Sequence, residues 1–446
     1  MSLTKVTYSM IQAAPINVAD FGASPTATAA VNTAAIQAAI DSVPAGNAGA
    51  IVFGSGLTYN FNAQLTVFNR AIVFEGYNCT LNLTANATHA IHVDGSTCEF
   101  RNMTIQKSAG VVVTAGIYVK GSRHVFRNVS SFNCAWPIFF HLDTLVESHF
   151  SEIRVDNDPT GFTGKIFQLD TTINNTLSDS FIGFCAQGVY GAAHNEGWLM
   201  TNVIIVFAGK AVNGDNATFF GIDNCIFDFC ETQGVFISNG QANSIKNTWI
   251  ASNNTNGFIG VGCLNPVTTM QVSGCTFSRG GTGTHQALSL NCSGGIASGN
   301  SFIAGTNGGL AYFDNSQLVG NSATGGGTNI TSNSYGVSNV LIGGLAVDTI
   351  KSFSTSTAIP NGTSVTVYTF PNAVAAMWMV TTNIGTQGRA DLYGAYAIIK
   401  TDGATASILQ QTNSPNNNLT LSGMALQAVQ TSGVAQTAYT TFLRIS

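Results

Sequence analysis

Ten short segments of this chain carry one signature, and their spacing narrows the fold more than any other feature. FRNMTI, FRNVSSF, SEIRV, SDSFIGF, TNVIIVF, DNCIFDF, KNTWIAS, SGCTFS, SGNSFIA and VGNSATG each place Asn, Gly or an acid just before a β-rich run. The anchor positions Asn102, Asn128, Glu152, Asp179, Asn202, Asn224, Asn247, Gly274, Gly299 and Asn321 are separated by 26, 24, 27, 23, 22, 23, 27, 25 and 22 residues. A period in the twenties with several short strands per repeat is a solenoid pattern. Each strand is expected to lie in register on the coil before it, about 4.8 Å away. Asn and Ser suit the corners, where their side chains bond nearby backbone. Phe, Ile, Val and Cys suit rows inside. The competing all-β reading, a sandwich with accidental spacing, has to produce ten similar steps by chance.

Both ends depart from the repeat. INVADFGAS reads as a short strand closed by a glycine turn. Thr33 to Ile40 reads as a helix with Ile36 and Ile40 on one face, suited to covering the open end of a strand stack. After Gly343 the period fades. SVTVYTF, MWMVTTN, AYAIIKT, LTLSG and AYTTFLRI alternate between Asn, Gly and Pro clusters, which reads as an antiparallel β-sandwich. The expected division is residues 1–65 as linker and cap, 66–344 as a parallel β-helix, and 345–446 as a sandwich serving trimerisation or carbohydrate binding.

Composition removes several function classes. Charged residues make up 8% of the chain, against roughly a quarter in an average domain. With 45% hydrophobic residues and 28 Phe, disorder does not explain this. No apolar run approaches the ~18 residues that read as a membrane span. A net charge of −5 with 16 Lys and Arg leaves no basic stripe, so nucleic acid is not an expected partner. The start, MSLTKVTYSM, lacks the layout of a secretory signal. Nine cysteines at irregular spacing read as reduced, buried thiols with no zinc site. No cofactor is implied.

The segment INVADFGASPTATAAVNTAAIQAAIDS followed by GAIVFGSGLTYNF resembles the opening of the pectate-lyase-like family found in phage tailspikes and capsule depolymerases. Its elements are the N-V-x-D-F-G-A strand, the T-x-A-I-Q-A-A-I-D helix and the V-x-F-x-x-G-x-Y strand pair. The resemblance implies a right-handed parallel β-helix that is homotrimeric, binds O-antigen or capsule and commonly hydrolyses it. It also implies a virion-tail protein, and the irregular cysteines and absent secretory signal imply assembly in the reducing host cytoplasm. No long head-binding domain precedes Ile16, so attachment is expected through a phage tail or adaptor protein or a segment outside this sequence. The polygalacturonase signatures (an NTD, a DD pair, a GHG) are absent.

Twenty-one acids limit the candidates for catalysis. Asp143, Glu147, Glu152, Asp156 and Asp158 form one group, and Glu196, Asp228 and Glu231 a second. A glycosidase needs two carboxyls across one bond, about 5–5.5 Å apart for retention and about 6.5–9.5 Å for inversion. In DNCIFDFCETQG, alternation puts Asp228 outward if Cys225, Phe227 and Phe229 point inward, with Glu231 at the strand's end. Glu196, one coil earlier, is expected to lean over the same face. This grouping resembles tailspike glycosidases and makes Asp228, Glu231 and Glu196 the expected catalytic acids, with Asp156 and Asp158 in reserve. The competing reading makes these acids solvated turn residues. Trp198, Trp249 and His194 are the expected sugar contacts, with Trp136 a further stacking candidate. Two alternatives stay open. One is a polysaccharide lyase acting on uronates, which would need cations such as Lys165, Lys210, Lys246 or Arg279. The other is a receptor-binding spike without chemistry.

Overall fold

The computed structural model describes residues 14–252 without a break, residues 257–332 apart from short loops, and the strands between residues 353 and 444. Among these, 31 strands join one sheet system whose paired strands run parallel. Each coil contributes a long strand segment followed by three shorter ones. Residues 185–191, 195–196, 199–201 and 204–206 make one coil, pairing onto 208–214, 217–218, 221–223 and 226–228 of the next. This is a parallel β-solenoid.

The sequence anchors are its corners. Asn102, Asn128, Glu152, Asp179, Asn202, Asn224, Asn247, Gly274 and Gly299 all have φ between 48° and 62°. A left-handed residue turns the chain without a loop, and Asn, Asp and Gly adopt it most readily. The corner side chains also bond one another along the axis. Asn128 Nδ2 donates to Asn102 Oδ1 at 2.8 Å, Asn202 Nδ2 to Asp179 Oδ1 at 3.0 Å, and Asn224 Nδ2 to Asn202 Oδ1 at 2.6 Å. Asn321 lies outside the described residues.

Inside, like residues stack on like. Phe74, Phe100, Phe126 and Phe150 form a column with ring centroids 4.6, 5.0 and 5.0 Å apart. A second inner column is polar yet satisfied. The backbone N–H groups of Cys98, His124 and Ser148 donate to His124 Nδ1, Ser148 Oγ and Asn175 Oδ1 of the following coil. Those N–H groups follow corners and would otherwise be buried without partners. All nine cysteines are free and buried, and burial pushes the Cys79 thiol up to about 12.

The helix runs Ala29–Asp41, longer than its apolar spacing predicts, because Thr28 caps it by accepting from the Val31 N–H at 3.4 Å. Ile36 and Ile40 close the stack end over Phe53, Leu65 and Phe74. The expected opening strand is only Ile16–Asn17, followed by a 3-10 turn Val18–Phe21 that ends on left-handed Gly22. Strands Ala48–Val52 and Thr58–Phe61 already pair in the parallel system.

Contacts divide the chain into two units, the described residues of 1–316 with 321–331, and those of 317–320 with 332–446. The second contains one antiparallel sheet of five strands and another of three. The expected boundary at residues 344 and 345 lies outside the described residues.

Candidate functional site

The expected acids do not meet at one place. Asp228 stands half-exposed on residues 226–228 and accepts from the Phe229 N–H at 2.8 Å. One extra residue is inserted between the pairings Val206↔Asp228 and Lys210↔Gln233, and Glu231 lies in that insertion, half-buried at the same corner. Glu196 sits elsewhere. It pairs with Ile173 and Thr218, and residues 199–201 with a left-handed corner at each end separate it from the row that holds Asp228. His194 joins Glu196 there, Nε2 to Oε2 at 3.8 Å.

Other expectations are corrected by burial. Trp198 is fully buried against Phe150 and Phe167, so it offers no ring to a sugar. Trp136 is likewise buried, donating from Nε1 to Ser131 Oγ at 2.8 Å. Trp249 is 38% exposed and pairs with Ile226, diagonal to Asp228. Phe229 does not point inward. Its φ of 52° breaks the alternation and leaves it 42% exposed. Asp158 is committed to its own turn, accepting from the Thr160 and Gly161 N–H groups and from the Thr160 and Thr163 hydroxyls, which hold its carboxyl below the ordinary value. Asp156 lies in the row Asp156↔Gly183↔Val206↔Asp228. Three coils at about 4.8 Å each put the two acids roughly 14 Å apart, beyond the ~9.5 Å limit for a carboxyl pair. Glu147 and Glu152 pair with Arg123 and Arg127 on neighbouring coils.

A different face gathers chemistry. On the outer side of strands His89–Ser96, Ala115–Ser122, Ile138–Val146 and Lys165–Leu169, one row reads His92↔Tyr118↔His141↔Gln168 and continues to Tyr190. The next row reads Asp94↔Lys120↔Asp143. Asp170 extends it, since its N–H donates to the Leu142 carbonyl one residue past the pairing Leu142↔Leu169. Asp143 and Asp170 therefore stand on adjacent coils, with backbones about 4.8 Å apart.

These side chains are held in place. Tyr118 Oη donates to Asp143 Oδ2 at 2.5 Å and Thr144 Oγ1 to Asp143 Oδ1 at 2.9 Å. The Tyr118 bond, followed by Thr144, holds the Asp143 carboxyl below its ordinary range despite partial burial. Burial, then the Asp143 charge, pushes the Tyr118 hydroxyl up, so it keeps its proton. His141 Nε2 lies 2.6 Å from Asp170 Oδ2, and Gln168 Nε2 donates to Asp170 Oδ1 at 3.0 Å. His141 Nδ1, on the other side of the ring, is buried and has no hydrogen-bond partner in the protein. Lys165 Nζ donates to Gln168 Oε1 at 3.0 Å and lies 3.9 Å from the Tyr190 ring centre, and burial lowers its pKa. The arrangement combines an anion, a carboxylate-oriented imidazole, a hydroxyl donor and a half-buried cation. Tyr118, His141 and Asp170 escape the sequence reading. Their signal is polar and aromatic residues recurring at the coil spacing, a pattern that reading applies only to the corners.

Two further histidines border this face. His89 stacks on Tyr118 at 4.8 Å, and His92 meets the same ring edge-on. Burial, then the neighbouring His92 and His141, pushes the His89 imidazole down to about 4. Burial also lowers His92, and likewise His124 inside the solenoid. The folded protein thus holds these imidazoles neutral, whereas unfolded histidine takes up its proton near ~6.5. Their contribution to stability is full above that value and is lost as pH falls toward about 4. The thermal midpoint is expected to drop over this interval, and less so in His89→Gln. A midpoint flat across the interval would refute the assignment.

No protein-family model matches the chain, and no curated protein matches it. Solved structures do. PfbA, a surface adhesin of Streptococcus pneumoniae, superimposes with a TM-score of 0.56 at 12% identity over 72% of this chain and 94% of its own. The A-module of the Azotobacter vinelandii mannuronan C-5 epimerase AlgE6 gives 0.54 at 15% identity over 72% and 97%. A double mutant of the tailspike of Escherichia coli bacteriophage HK620 gives 0.51 at 11% identity over 96% and 93%. The chain has the β-solenoid fold of phage tailspikes. At these identities the likeness is one of fold, shared by an adhesin, an epimerase and a tailspike, and the chemistry must be argued from the site. Among the described residues no group of three or more His, Cys, Asp or Glu could hold a metal ion, and no helix is long and apolar enough to cross a membrane.

Proposed function

We propose that this protein is a phage tailspike that binds a bacterial surface polysaccharide and cleaves its glycosidic bonds at the outer face of residues 118–170. One observation carries the reading: Asp143 and Asp170 stand on adjacent coils, half-buried, with Tyr118 and His141 fixed beside them. Backbones about 4.8 Å apart suit a carboxyl pair of the ~5–5.5 Å kind used for retention. Asp143, held ionised, attacks the anomeric carbon or stabilises the positive charge that develops there. Asp170, positioned by His141 and Gln168, is the proposed proton donor to the leaving oxygen, and water then displaces the sugar from Asp143. Tyr118 donates to the ring substituents that Asp143 does not engage. The tailspike and the mannuronan epimerase among similar structures support a polysaccharide ligand.

Elimination on a uronate is the second reading, favoured by Lys165, whose charge would neutralise a uronate carboxylate. Incubation with bacterial capsular and O-antigen polysaccharides separates the readings. New reducing ends without an ultraviolet-absorbing unsaturated sugar mean hydrolysis, and ends with it mean elimination. Intact but bound polymer means a receptor-binding spike and removes both.

The virion tail is the proposed location, with a tail or adaptor protein as partner and assembly in the host cytoplasm. The proposed assembly is the homotrimer that the family resemblance implies, a closed cyclic arrangement. Light scattering is expected to give about three times the 46.4 kDa chain mass. A stable particle at the single-chain mass would rule the trimer out.

A further inference from the structure

Two apolar lines run side by side along one outer corner of the solenoid. In the first, Phe162, Phe184, Phe207 and Phe229 stack with centroids 6.0, 5.0 and 4.8 Å apart and ring planes within 22° of parallel. All four have positive φ, from 49° to 56°, an outlier for a bulky side chain. At the equivalent corner two coils before Phe184 the chain uses Asn133, with φ of 51°, so the turn itself does not require phenylalanine. Strain kept at a partly exposed position points to a use outside the fold. The second line is the outward row Phe181↔Ile204↔Ile226↔Trp249, in which Ile226 and Trp249 are exposed. Aromatic side chains bury about 150–250 Å² each, so six of them about a third exposed offer roughly 300–500 Å². A patch of that size is the largest on a typical monomer and often functional.

The geometry indicates the occupant. Each stacked phenylalanine covers its neighbour's face, so the line turns ring edges outward. A sugar stacks on a face, whereas edges pack against another apolar protein surface. The two sides of the corner carry opposite charges. Before it, the row Asp156↔Gly183↔Val206↔Asp228 holds two acids, with Glu231 inserted at the last corner. After it, the outward row Lys165↔Gln187↔Lys210↔Gln233 holds two lysines. Lys210 lies over the Phe236 ring at 5.1 Å and has no carboxylate partner among the described residues. Rotation about an axis parallel to the corner brings the acid side of one copy against the lysine side of the next and gathers the ring edges at the axis. The corner is thus complementary to itself under the cyclic symmetry that closes a ring of copies. An apolar centre with a charged rim is also the usual anatomy of an interface to which each partner gives ~800 Å².

We infer that copies of this chain assemble through this corner, around an axis parallel to the solenoid, with the phenylalanine edges at the axis and Asp228 facing Lys210 of the partner subunit. The inference rests on the trimer proposed above and names its contact. Asp170 lies five residues past Lys165, about 16 Å further from the corner at ~3.3 Å per residue, so the catalytic face stays open. Phe207→Cys and Phe229→Cys each place one thiol at the corner, against a background of nine buried cysteines. Thr201→Cys places one on an exposed strand elsewhere. Treatment with a short bis-maleimide, read on a denaturing gel, is expected to give covalent dimers from the two corner variants and single chains from Thr201→Cys and the wild type. A multimeric wild type whose corner variants do not cross-link overturns this contact and leaves the trimer standing. Equal cross-linking of Thr201→Cys likewise overturns it. Wild type at the single-chain mass of 46.4 kDa overturns both. A charge swap decides the matter independently if the thiol variants misfold. Asp228→Lys is expected to dissociate on dilution at least ~10-fold more readily than the wild type, because like charges then meet across the contact. Adding Lys210→Asp to it restores assembly. Failure of the second change to restore it overturns the contact.

Discussion

Asp143→Asn and Asp170→Asn are each expected to slow polysaccharide cleavage by at least ~10²-fold, in line with losing a positioned acid, base or nucleophile. Neither change alters side-chain volume, so the fold and polymer binding should be retained, with a melting temperature lowered modestly because an amide accepts one hydrogen bond fewer than the carboxylate it replaces. The two variants differ in what they disconnect. Asp143→Asn removes the anion that accepts from Tyr118 and Thr144. Asp170→Asn removes the acceptor that orients His141, so its remaining activity should show a displaced pH profile, whereas Asp143→Asn lowers the whole profile. The comparison that decides the location is Asp228→Asn. If that variant loses turnover while Asp143→Asn and Asp170→Asn keep it, the chemistry belongs to the corner at residues 226–231, and the face at 118–170 only binds.

Phe150→Ala is expected to destabilise the protein by about 3–5 kcal/mol, the range for emptying a fully buried aromatic site. Phe150 is 0% exposed, stacks on Phe126 at 5.0 Å with planes 1° apart, and touches Phe140 and Phe167 at 5.3 Å and Trp198 at 6.1 Å. Each coil of a solenoid is stabilised mainly by its neighbours, so a cavity there weakens the coils above and below together. Denaturant unfolding of the variant and wild type measures the loss. A difference under ~1 kcal/mol would mean that the neighbouring rings collapse into the space, against the close packing expected of such a core.

The corners that bound the Phe150 column show what a sequence of this kind discloses. Corners need left-handed residues, and few residue types accept that backbone. Asn102, Asn128, Asn202 and Asn224 therefore stand out as a period in the amino-acid sequence. The helix Ala29–Asp41 is legible through Ile36 and Ile40, and only its first turn escapes, because a cap at Thr28 carries no apolar signal. Strand alternation correctly puts Asp228 outside and Phe227 inside, and it fails one residue later at Phe229, where a left-handed turn reverses the side chain.

The parallel solenoid, its capped end and the antiparallel strands that follow all rest on local residue preferences repeated along the chain, so the amino-acid order suffices to specify them. Which outward residues become neighbours depends instead on how the coils stack. Successive coils differ in length through insertions such as the loop at residues 157–164 and the extra residue at Glu231, so sequence distance does not predict which side chains meet. Asp143 and Asp170 meet because their coils pair without a slip from Ile138↔Lys165 to Leu142↔Leu169. Glu196 and Asp228, one coil apart in sequence, face away from each other because two left-handed corners turn the chain between the rows that carry them.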